Sequence, residues 1–248
     1  MWAGPPGFSS DDNKGLGWHA GRLLAGARPG GIQAAARGLP SSRFGASALN
    51  RWLNVVLAAT CLVIGAPVIA AAAIAIRLYD GGPAIYRQER MGKDGKPFEL
   101  LKLRTMSVGA EYRGTGIVVS TRDPRITGPG RFIRKTSLDE LPQLWNILRG
   151  DMALVGPRPT VRSQVIQYNA HQRRRLEVLP GLTGWAQVNG RNTLSWAERI
   201  ELDVWYVDNK SVLLDLRILA LTPKALLMPN AIYGQDGTTP DFESTAED

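Results

Sequence analysis

Two adjacent carboxylates, Asp139 and Glu140, are the residues of this chain with the clearest capacity for chemistry. Ser137 and Glu140 have the spacing of a helix capping box, whereas Pro142 favours a helix that begins one or two residues later, capped by Asp139. Both arrangements place the carboxylates in the first turn of a helix, where the dipole and the basic residues just before them favour ionisation. One carboxylate could then act as a nucleophile while the other holds a cation. Ordinary carboxylates at a helix start are the alternative.

Basic residues beside turn-forming residues recur through the middle of the chain. Phosphoryl transfer needs such cations to offset the charge of the transferred group, and a metal ion to bridge its oxygens. A solvated basic face would explain any one of these segments, but not their repeated placement in loops. The segments are residues 102–104, 123–125, 131–135, 156–159 and 189–191.

The composition excludes several protein classes. The chain has 248 residues, with 30 Lys or Arg and 22 Asp or Glu, which is a net charge of +8. Cys61 is the only cysteine, which excludes a disulfide framework and a cysteine-built metal site. His19 and His171 are far apart in sequence, which disfavours an imidazole-rich metal centre. Any metal should be a hard cation on oxygen ligands. The sequence also lacks the motifs of P-loop nucleotidases, Rossmann enzymes, zincins and serine hydrolases.

The positive charge is concentrated in the middle of the chain. Residues 77–191 carry 20 basic and 10 acidic side chains, whereas residues 192–248 carry 4 and 10. Such a segment favours an anionic partner: a phosphorylated small molecule, a membrane surface or nucleic acid. Nucleic-acid binding would need aromatic side chains interleaved with the basic ones, but Trp145, Trp185 and Trp205 lie in apolar contexts that suggest core.

The longest apolar run covers residues 52–76, which contain no charged side chain and are flanked by Arg51 and Arg77. At about 1.5 Å per helical residue, this run is long enough to cross a membrane. Pro67 near its middle predicts a kink or break. Basic residues flank both ends of the run, and cytoplasmic ends of membrane segments are enriched in basic residues. This rule is satisfied most simply if both ends stay on the cytoplasmic side, as in a helix–break–helix that enters one leaflet and returns. A straight membrane-spanning anchor and a buried soluble helix are the alternatives.

Beyond residue 80 the pattern predicts a small α+β domain of short strands and helices. A Gly-rich turn at residues 92–96 predicts a hairpin. The last helix is expected to pack on the domain or to lie at a membrane surface. Strands are predicted at residues 85–90, 97–104 and 153–155. Helices are predicted at residues 138–148, 161–179, 195–209 and 212–228.

Over residues 50–232 the chain resembles the bacterial sugar transferases, the monotopic polyprenyl-phosphate phosphoglycosyl transferases. The resemblance implies transfer of a sugar-1-phosphate from a UDP-sugar to a polyprenyl phosphate, with release of UMP. It also implies Mg²⁺, an aspartyl phosphosugar intermediate and a re-entrant membrane hairpin. The motifs that carry it are YRQERMG at 86–92, KLRTM at 102–106, RKTSLDELPQL at 134–144, GDMALVGPRP at 150–159 and PGLTGWAQVNGR at 180–191.

The resemblance also implies roles for individual residues. The nucleophile falls on Asp139, and Glu140 is expected to help hold Mg²⁺. The cations expected to face phosphate are Lys102, Arg104, Arg134 and Arg158. The residues expected on the nucleotide side are Gln143, Asn189 and Arg191. One departure concerns the membrane hairpin, where this chain has Ala66 and Pro67 in place of the family's common Ser-Pro pair.

Four segments are expected along the chain: a flexible leader at 1–49, a re-entrant membrane hairpin at 50–78, the catalytic domain at 79–232 and a disordered acidic tail at 233–248. The resemblance places the enzyme at the bacterial inner membrane with its catalytic domain on the cytoplasmic face. Its expected partners are a UDP-sugar, a polyprenyl phosphate and membrane lipid, with no nucleic acid. The sequence leaves the sugar and the oligomeric state open, a homodimer being one option.

Overall fold

A computed structural model describes residues 46–113, 119–120 and 123–227 of the chain, with side chains from Arg51 onward. Its helices are α1 (Ala46–Asp80), α2 (Gly128–Lys135), α3 (Gln143–Arg149), α4 (Arg162–Val165), α5 (Ala170–Arg173), α6 (Trp185–Val188), α7 (Trp196–Asn209) and α8 (Val212–Leu226). Its strands are β1 (Ile85–Met91), β2 (Pro97–Leu103), β3 (Ala153–Val155) and β4 (Gly181–Thr183). The predicted leader, apart from the start of α1, and the predicted acidic tail lie outside the described residues.

Helix α1 contains the apolar run and contacts the domain near both of its ends. Near the start, Arg51 donates to the carbonyl of Ile147 at 2.6 Å and to that of Leu148 at 3.0 Å. These carbonyls belong to the last turn of α3, where a helix leaves its backbone acceptors without an internal partner. Near the other end, Ile76 packs with Ile133 in a buried cluster. The two ends of α1 therefore rest on the same domain.

The chain stays helical through Pro67, so the predicted helix–break–helix is not confirmed. A proline inside a helix removes one backbone donor, and a bend in the neighbouring turns can accommodate this loss. By length and composition, the segment Arg51–Asp80 is suited to cross a membrane, and only 6% of its most apolar stretch is buried. The mixed α and β character is confirmed, with one long apolar helix attached to it.

Strands β1 and β2 form the predicted antiparallel hairpin, in which Ile85 lies opposite Leu103. The turn contains left-handed backbone at Asp94 and Gly95, with φ values of 56° and 69°, as a Gly-rich hairpin turn requires. Asn146 of α3 is fully buried and binds the backbone of β2, accepting at 3.0 Å and donating at 2.7 Å. This amide therefore fixes the hairpin against α3.

Strands β3 and β4 form a second, parallel pair in which Ala153 lies opposite Gly181. A Cβ atom on Gly181 would lie only 2.1 Å from the backbone nitrogen of Gly156. Because no side chain fits there, glycine at this position allows the loop after β3 to pack directly on β4. That loop carries Arg158 toward the site described below.

The prediction of one continuous helix at residues 161–179 is wrong. The chain there forms two short helices, α4 and α5, followed by a 3-10 turn at Arg174–Leu176. Asn169 begins α5: its side chain accepts from the Gln172 backbone, and Gln172 caps Asn169 in return. A residue that caps a new helix has an extended backbone, which ends the preceding one.

Helices α7 and α8 agree with the predicted ranges to within two residues. Tyr206 of α7 is buried and donates to Asp215 of α8 at 2.7 Å. Ile218 of α8 is fully buried, whereas Leu213 and Leu216 are exposed. Helix α8 therefore packs on the domain and also presents apolar side chains outward.

The expectation that the tryptophans lie in the core holds for Trp185, which is buried and stacks on Trp205 at 5.1 Å between ring centroids. It is wrong for Trp145, which is 52% exposed. The neighbouring Asn146 turns toward β2, so Trp145, about 100° further round the helix, points away from it.

Candidate active site

Asp139 and Glu140 lie in a 3-10 turn, Leu138–Glu140, between α2 and α3. Ser137, just before this turn, has a left-handed backbone with φ of 56°, and its side chain caps no helix. Helix α3 begins only after Pro142 and has no side-chain cap. The predicted caps are therefore wrong, because the left-handed residue starts a tight turn instead of a helix.

Glu140 is paired with two cations. Nη2 of Arg158 lies 2.5 Å from Oε1 of Glu140, and Nζ of Lys102 lies 3.4 Å from the same oxygen. Only 13% of the Glu140 side chain is exposed. Burial by itself would raise the pKa of Glu140, but Arg158 and Lys102 outweigh burial and hold this pKa far below its usual range. Glu140 is therefore ionised at neutral pH, as the sequence predicts.

Asp139 has neither a hydrogen bond nor an ion pair within the part of the chain that the structure describes. Burial raises the pKa of Asp139, and the positive charge of Lys102 lowers it. The negative charge of Glu140 raises it further, so the pKa of Asp139 lies above its ordinary value. The ionised state predicted for both carboxylates is thus favoured by the surroundings of Glu140, whereas burial and the charge of Glu140 work against it at Asp139. The Asp139 carboxylate is partly exposed and has no side-chain partner among the described residues, so its ionised form is available to attack a phosphorus atom.

Lys102 on β2 and Arg158 after β3 reach the turn from two different sheets. Nη2 of Arg175 donates to the carbonyl of Arg158 at 3.1 Å. Arg175 is held in turn by Asp203 at 2.5 Å and by the Tyr168 hydroxyl at 2.7 Å. The buried Arg175–Asp203 pair therefore fixes the backbone that carries Arg158.

Arg104 and Arg134, the other two predicted phosphate contacts, differ in their surroundings. The Nη1 and Nη2 atoms of Arg104 each lie 2.5 Å from the Asp80 carboxylate, and its Nε donates to the Pro83 carbonyl at 2.6 Å. These contacts favour a structural role for Arg104. Arg134 lies in the last turn of α2. Burial is the main influence on the pKa of Asp139, and the charge of Arg134 counteracts it.

Among the three residues predicted on the nucleotide side, Arg191 lines the same cavity as Asp139, whereas Gln143 and Asn189 are not part of its lining. Nη2 of Arg191 lies 3.4 Å from Oγ of Ser137, beside the carboxylates. Asn189 donates to the backbone of α6 at 2.8 Å. Gln143 is buried at the start of α3.

One cavity of about 680 Å³ brings these side chains together. Its volume lies within the usual range of small-molecule sites. Nine Arg or Lys side chains and four Asp or Glu side chains line it, so it suits an anionic ligand. The predicted site residues in its lining are Lys102, Arg104, Arg134, Asp139, Glu140, Arg158 and Arg191.

The sequence profile of bacterial sugar transferases matches residues 45–229, which contain all of these side chains. The chain belongs to the bacterial sugar transferase family. EpsL, an uncharacterized sugar transferase of Bacillus subtilis (strain 168), is 49% identical over 164 residues, which are 66% of this chain and 80% of EpsL.

Two further members of the bacterial sugar transferase family carry named activities. The UDP-glucose:undecaprenyl-phosphate glucose-1-phosphate transferase of Caulobacter vibrioides is 40% identical over 215 residues, or 83% of this chain and 77% of that protein. The undecaprenyl-phosphate galactose phosphotransferase of Salmonella typhimurium is 39% identical over 212 residues, or 78% of this chain but 42% of that protein. The chain thus spans most of EpsL and of the Caulobacter protein, and less than half of the Salmonella protein.

The carboxylates of this sugar transferase suit Mg²⁺ in a particular way. The described residues contain no group of three or more His, Cys, Asp or Glu side chains that could hold a metal ion. Mg²⁺ is often held by one or two carboxylates together with substrate phosphates and water. Because Arg158 and Lys102 share Oε1 of Glu140, the donors that remain are Oε2 of Glu140 and the Asp139 carboxylate. These donors fit Mg²⁺ that binds together with a diphosphate.

Arg90, Gln187 and Arg199 are among the cavity residues of this sugar transferase that the sequence analysis did not predict. Burial and the nearby charge of Arg158 lower the pKa of Arg90 to about 10. Arg90 lies in the motif at 86–92 and Gln187 in the motif at 180–191, so membership of these motifs could have indicated both residues. No sequence signal indicated Arg199, because its direction depends on how α7 packs against the domain.

Proposed function

We propose that this sugar transferase moves a sugar-1-phosphate from a UDP-sugar to a polyprenyl phosphate such as undecaprenyl phosphate, and releases UMP. The observation that carries the proposal is the unpartnered Asp139 carboxylate beside Glu140, which Arg158 and Lys102 hold at the wall of a cationic cavity. The named activities of the Caulobacter and Salmonella relatives support the same reaction. Its product would start the assembly of a polysaccharide or glycoconjugate.

The first step is an attack by a carboxylate oxygen of Asp139 on the β-phosphorus of the UDP-sugar. The bond between that phosphorus and the bridging oxygen breaks, and UMP leaves with the bonding electrons. The product is an acyl phosphate in which Asp139 carries the sugar phosphate. A covalent intermediate lets a soluble donor and a lipid acceptor use the same site in turn.

The second step returns the carboxylate. A phosphate oxygen of the polyprenyl phosphate attacks the same phosphorus, and the bond between this phosphorus and the Asp139 oxygen breaks. The lipid leaves as a polyprenyl diphosphate sugar, and Asp139 is ionised again. Both steps bring negatively charged groups together, so the site must offset charge repulsion.

The cations around the carboxylates would perform this task. Lys102 and Arg158 are anchored by Glu140, so they are positioned before the substrate arrives. Arg134, in the last turn of α2, would add a further cation to the same cavity. When bound, Mg²⁺ would neutralise diphosphate charge, with Oε2 of Glu140 as its protein ligand.

The membrane side of the site is proposed from exposed apolar surface. Helix α1 exposes Trp52, Val63 and Ile64, and α8 exposes Leu213 and Leu216. Lipid would cover these side chains while the cavity receives the phosphate of the acceptor. The position at the cytoplasmic face of the inner membrane is part of this proposal, since UDP-sugars are cytoplasmic.

The test is release of UMP by the full chain in lipid nanodiscs. With undecaprenyl phosphate, Mg²⁺ and a panel of UDP-sugars, at least one donor should give many turnovers, whereas without the lipid at most one UMP per enzyme is released. Asp139→Asn should abolish both the turnover with lipid and the single UMP release without lipid. Asp94→Asn is the matched control, since Asp94 is an exposed turn residue outside the cavity.

Two outcomes would contradict the proposal. A wild-type protein that releases no UMP from any donor would be a family scaffold that has lost the reaction. Unchanged UMP release by the Asp139→Asn variant would remove Asp139 from the role of nucleophile.

A further inference from the structure

Some residues that line the cavity carry buried polar atoms without a hydrogen-bond partner in the described part of the chain. Within the described residues, six buried side-chain nitrogen or oxygen atoms make no hydrogen bond. Four of them belong to three residues that line the cavity: both amide atoms of Gln187, Nη1 of Arg191 and Nη2 of Arg199. Buried polar groups are almost always paired, because an unpaired group loses its hydration without compensation. Gln187, Arg191 and Arg199 therefore have hydrogen-bonding capacity that the described part of the protein does not use.

Gln187 is held firmly in the lining of the cavity. It lies on α6 and is 9% exposed. Its Oε1 atom lies 2.6 Å from the place that a Cβ atom of Gly184 would occupy, so the amide packs directly over that glycine. Glycine at this position therefore makes room for the amide, whose NH2 group and carbonyl oxygen make no hydrogen bond within the described residues.

Arg199 and Arg191 place charge beside this amide. Nε of Arg199 donates to the Leu194 carbonyl at 3.1 Å, and its guanidinium lies over the Trp196 ring, 5.5 Å from the centroid. Burial, followed by the charge of Arg158, lowers the pKa of Arg199 to about 10, so Arg199 still carries its charge at neutral pH.

The two arginines differ in their contacts. Nη2 of Arg191 lies 3.4 Å from Oγ of Ser137, two residues before Asp139. Arg199 instead contacts Leu194 and Trp196. Arg191 therefore lies beside the turn that carries the reacting carboxylates, whereas Arg199 lines another part of the cavity.

We infer that Gln187, Arg191 and Arg199 form a recognition subsite for a neutral ring that carries adjacent hydrogen-bond donors and acceptors next to a phosphate. Two parts of a UDP-sugar have this chemistry: the imide edge of uracil, and the hydroxyl groups of the sugar. The inference rests on the proposed function and adds the residues that would discriminate among donors. Arg191 would bind the phosphate, while Gln187 and Arg199 would bind the ring.

The test measures binding without turnover, by calorimetry on the full chain in nanodiscs. The probes are UMP, glucose-1-phosphate, galactose-1-phosphate and inorganic phosphate. Gln187→Met should weaken binding of UMP or of a sugar phosphate about tenfold, as expected for loss of paired hydrogen bonds, and should change inorganic phosphate binding less than twofold. The ligand that is affected identifies the ring. Arg199→Lys should weaken the same ligand, because lysine lacks the planar fork of donors.

Matched controls and a stability measurement separate recognition from folding. Gln167→Met and Arg162→Lys change exposed residues outside the cavity and should leave all affinities unchanged. The Tm of Gln187→Met without ligand should equal or exceed that of the wild type, because the substitution breaks no hydrogen bond in the free protein. A structural amide would lower the Tm instead.

Three results would overturn the inference. The first is that Gln187→Met and Arg199→Lys bind UMP and both sugar phosphates as tightly as the wild type. The second is that inorganic phosphate binding falls in the variants as much as binding of the other probes. A wild-type protein that turns over a UDP-sugar while the variants bind normally would reject the subsite and keep the proposed function, whereas a wild type that binds none of the ring-bearing probes would reject both.

Discussion

Arg158 donates to Oε1 of Glu140 at 2.5 Å, and the neighbouring Asp139 is left without a partner among the described residues. Lys102 approaches the same Glu140 oxygen at 3.4 Å, so one carboxylate takes up the two nearest cations. Adjacent carboxylates in one turn thus have opposite environments. Glu140 organises the cations, and Asp139 faces the cavity with a raised pKa.

Neutral substitutions of the two carboxylates should change the thermal stability of the protein in opposite directions. Folding raises the pKa of Asp139, so ionised Asp139 costs stability at neutral pH, and Asp139→Asn should raise the Tm. Folding lowers the pKa of Glu140, so Glu140→Gln should lower the Tm, corresponding to about 1–3 kcal/mol for lost hydrogen bonds to charged groups. Thermal unfolding between pH 5 and pH 8 measures both changes.

The pH dependence of each effect provides its own control. The gain from Asp139→Asn should shrink as the pH falls through the raised pKa of Asp139, because the wild-type side chain then becomes neutral. The loss from Glu140→Gln should persist down to the unfolded pKa of glutamate, about 4.3. Equal and parallel Tm changes in the two variants would contradict the division of roles.

The rate of UMP release should fall on the acid side as Asp139 becomes protonated. Because the pKa of Asp139 is raised, this fall should occur above the ordinary aspartate value of about 3.9. Lys102 lowers that pKa, so Lys102→Met should move the acid limb to higher pH. Glu140 raises it, so Glu140→Gln should move the limb to lower pH. Single-turnover rates measured against pH test these shifts.

Lys93→Met is the control for charge in these pH profiles, because Lys93 is an exposed residue of the hairpin turn outside the cavity lining. Its acid limb should match that of the wild type. Identical limbs in all four proteins would show that Asp139 is not the group that titrates.

The sequence predicted the elements that depend on neighbouring residues. The β1–β2 hairpin followed from its Gly-rich turn, and β3 from a short apolar run ended by Gly156 and Pro157. The break before α5 was also readable, because Asn169 and Gln172 have the spacing of a capping box. That short-range signal was outweighed by the longer apolar pattern of residues 161–179.

The charge environment of the site depended on contacts that no local pattern contains. Asp139 and Glu140 are adjacent in sequence, and only the contacts of Glu140 with Lys102 on β2 and with Arg158 in the loop after β3 distinguish them. The ion pair of Arg104 could not be predicted from the sequence either. Its partner Asp80 lies 24 residues earlier, at the end of α1, so a cation that resembles a phosphate ligand is bound within the protein.

The Arg104–Asp80 pair should behave as a structural unit. The Arg104 side chain is 6% exposed and that of Asp80 is 25% exposed. Asp80→Ala should cost about 2–4 kcal/mol of unfolding free energy, since the buried Arg104 charge loses its carboxylate. Arg104→Ala should also lower the Tm, because Asp80 and the Pro83 carbonyl lose their donor, and Arg104→Lys should not restore it.

Arg87→Ala provides the matched control, because the Arg87–Glu99 pair is exposed and should contribute less than about 1 kcal/mol. A direct role of Arg104 in phosphate binding gives a different pattern. In that case Arg104→Ala would raise the KM for the UDP-sugar, while Asp80→Ala would not.

Removal of divalent cations should stop turnover. With EDTA we expect at least a hundredfold loss, and Mg²⁺ should restore the rate, since diphosphate transfer relies on metal neutralisation. Glu140→Gln should require a higher Mg²⁺ concentration for half-maximal rate, because Oε2 of Glu140 is the proposed ligand. Asp94→Asn should retain the wild-type requirement. Turnover that is unaffected by EDTA would exclude Mg²⁺ from the reaction.

The placement of α1 leads to a prediction about membrane topology. Arg51 at its start binds the carbonyls of Ile147 and Leu148, and Ile76 near its end packs with Ile133. A helix that crossed the whole bilayer would carry one of these ends, and the domain surface bound to it, through the membrane. We therefore expect both ends of α1 to remain on the cytoplasmic side.

Single cysteines on each side of α1 test this topology. Cys61 is first replaced by Ser, because it is exposed and would react with the label. Cysteines at Arg43 and Lys93 should then be labelled in inside-out membrane vesicles and protected in intact cells from a membrane-impermeant maleimide. Labelling of one position from each side would mean that α1 spans the membrane, and the contacts of both its ends with the domain could not then persist together.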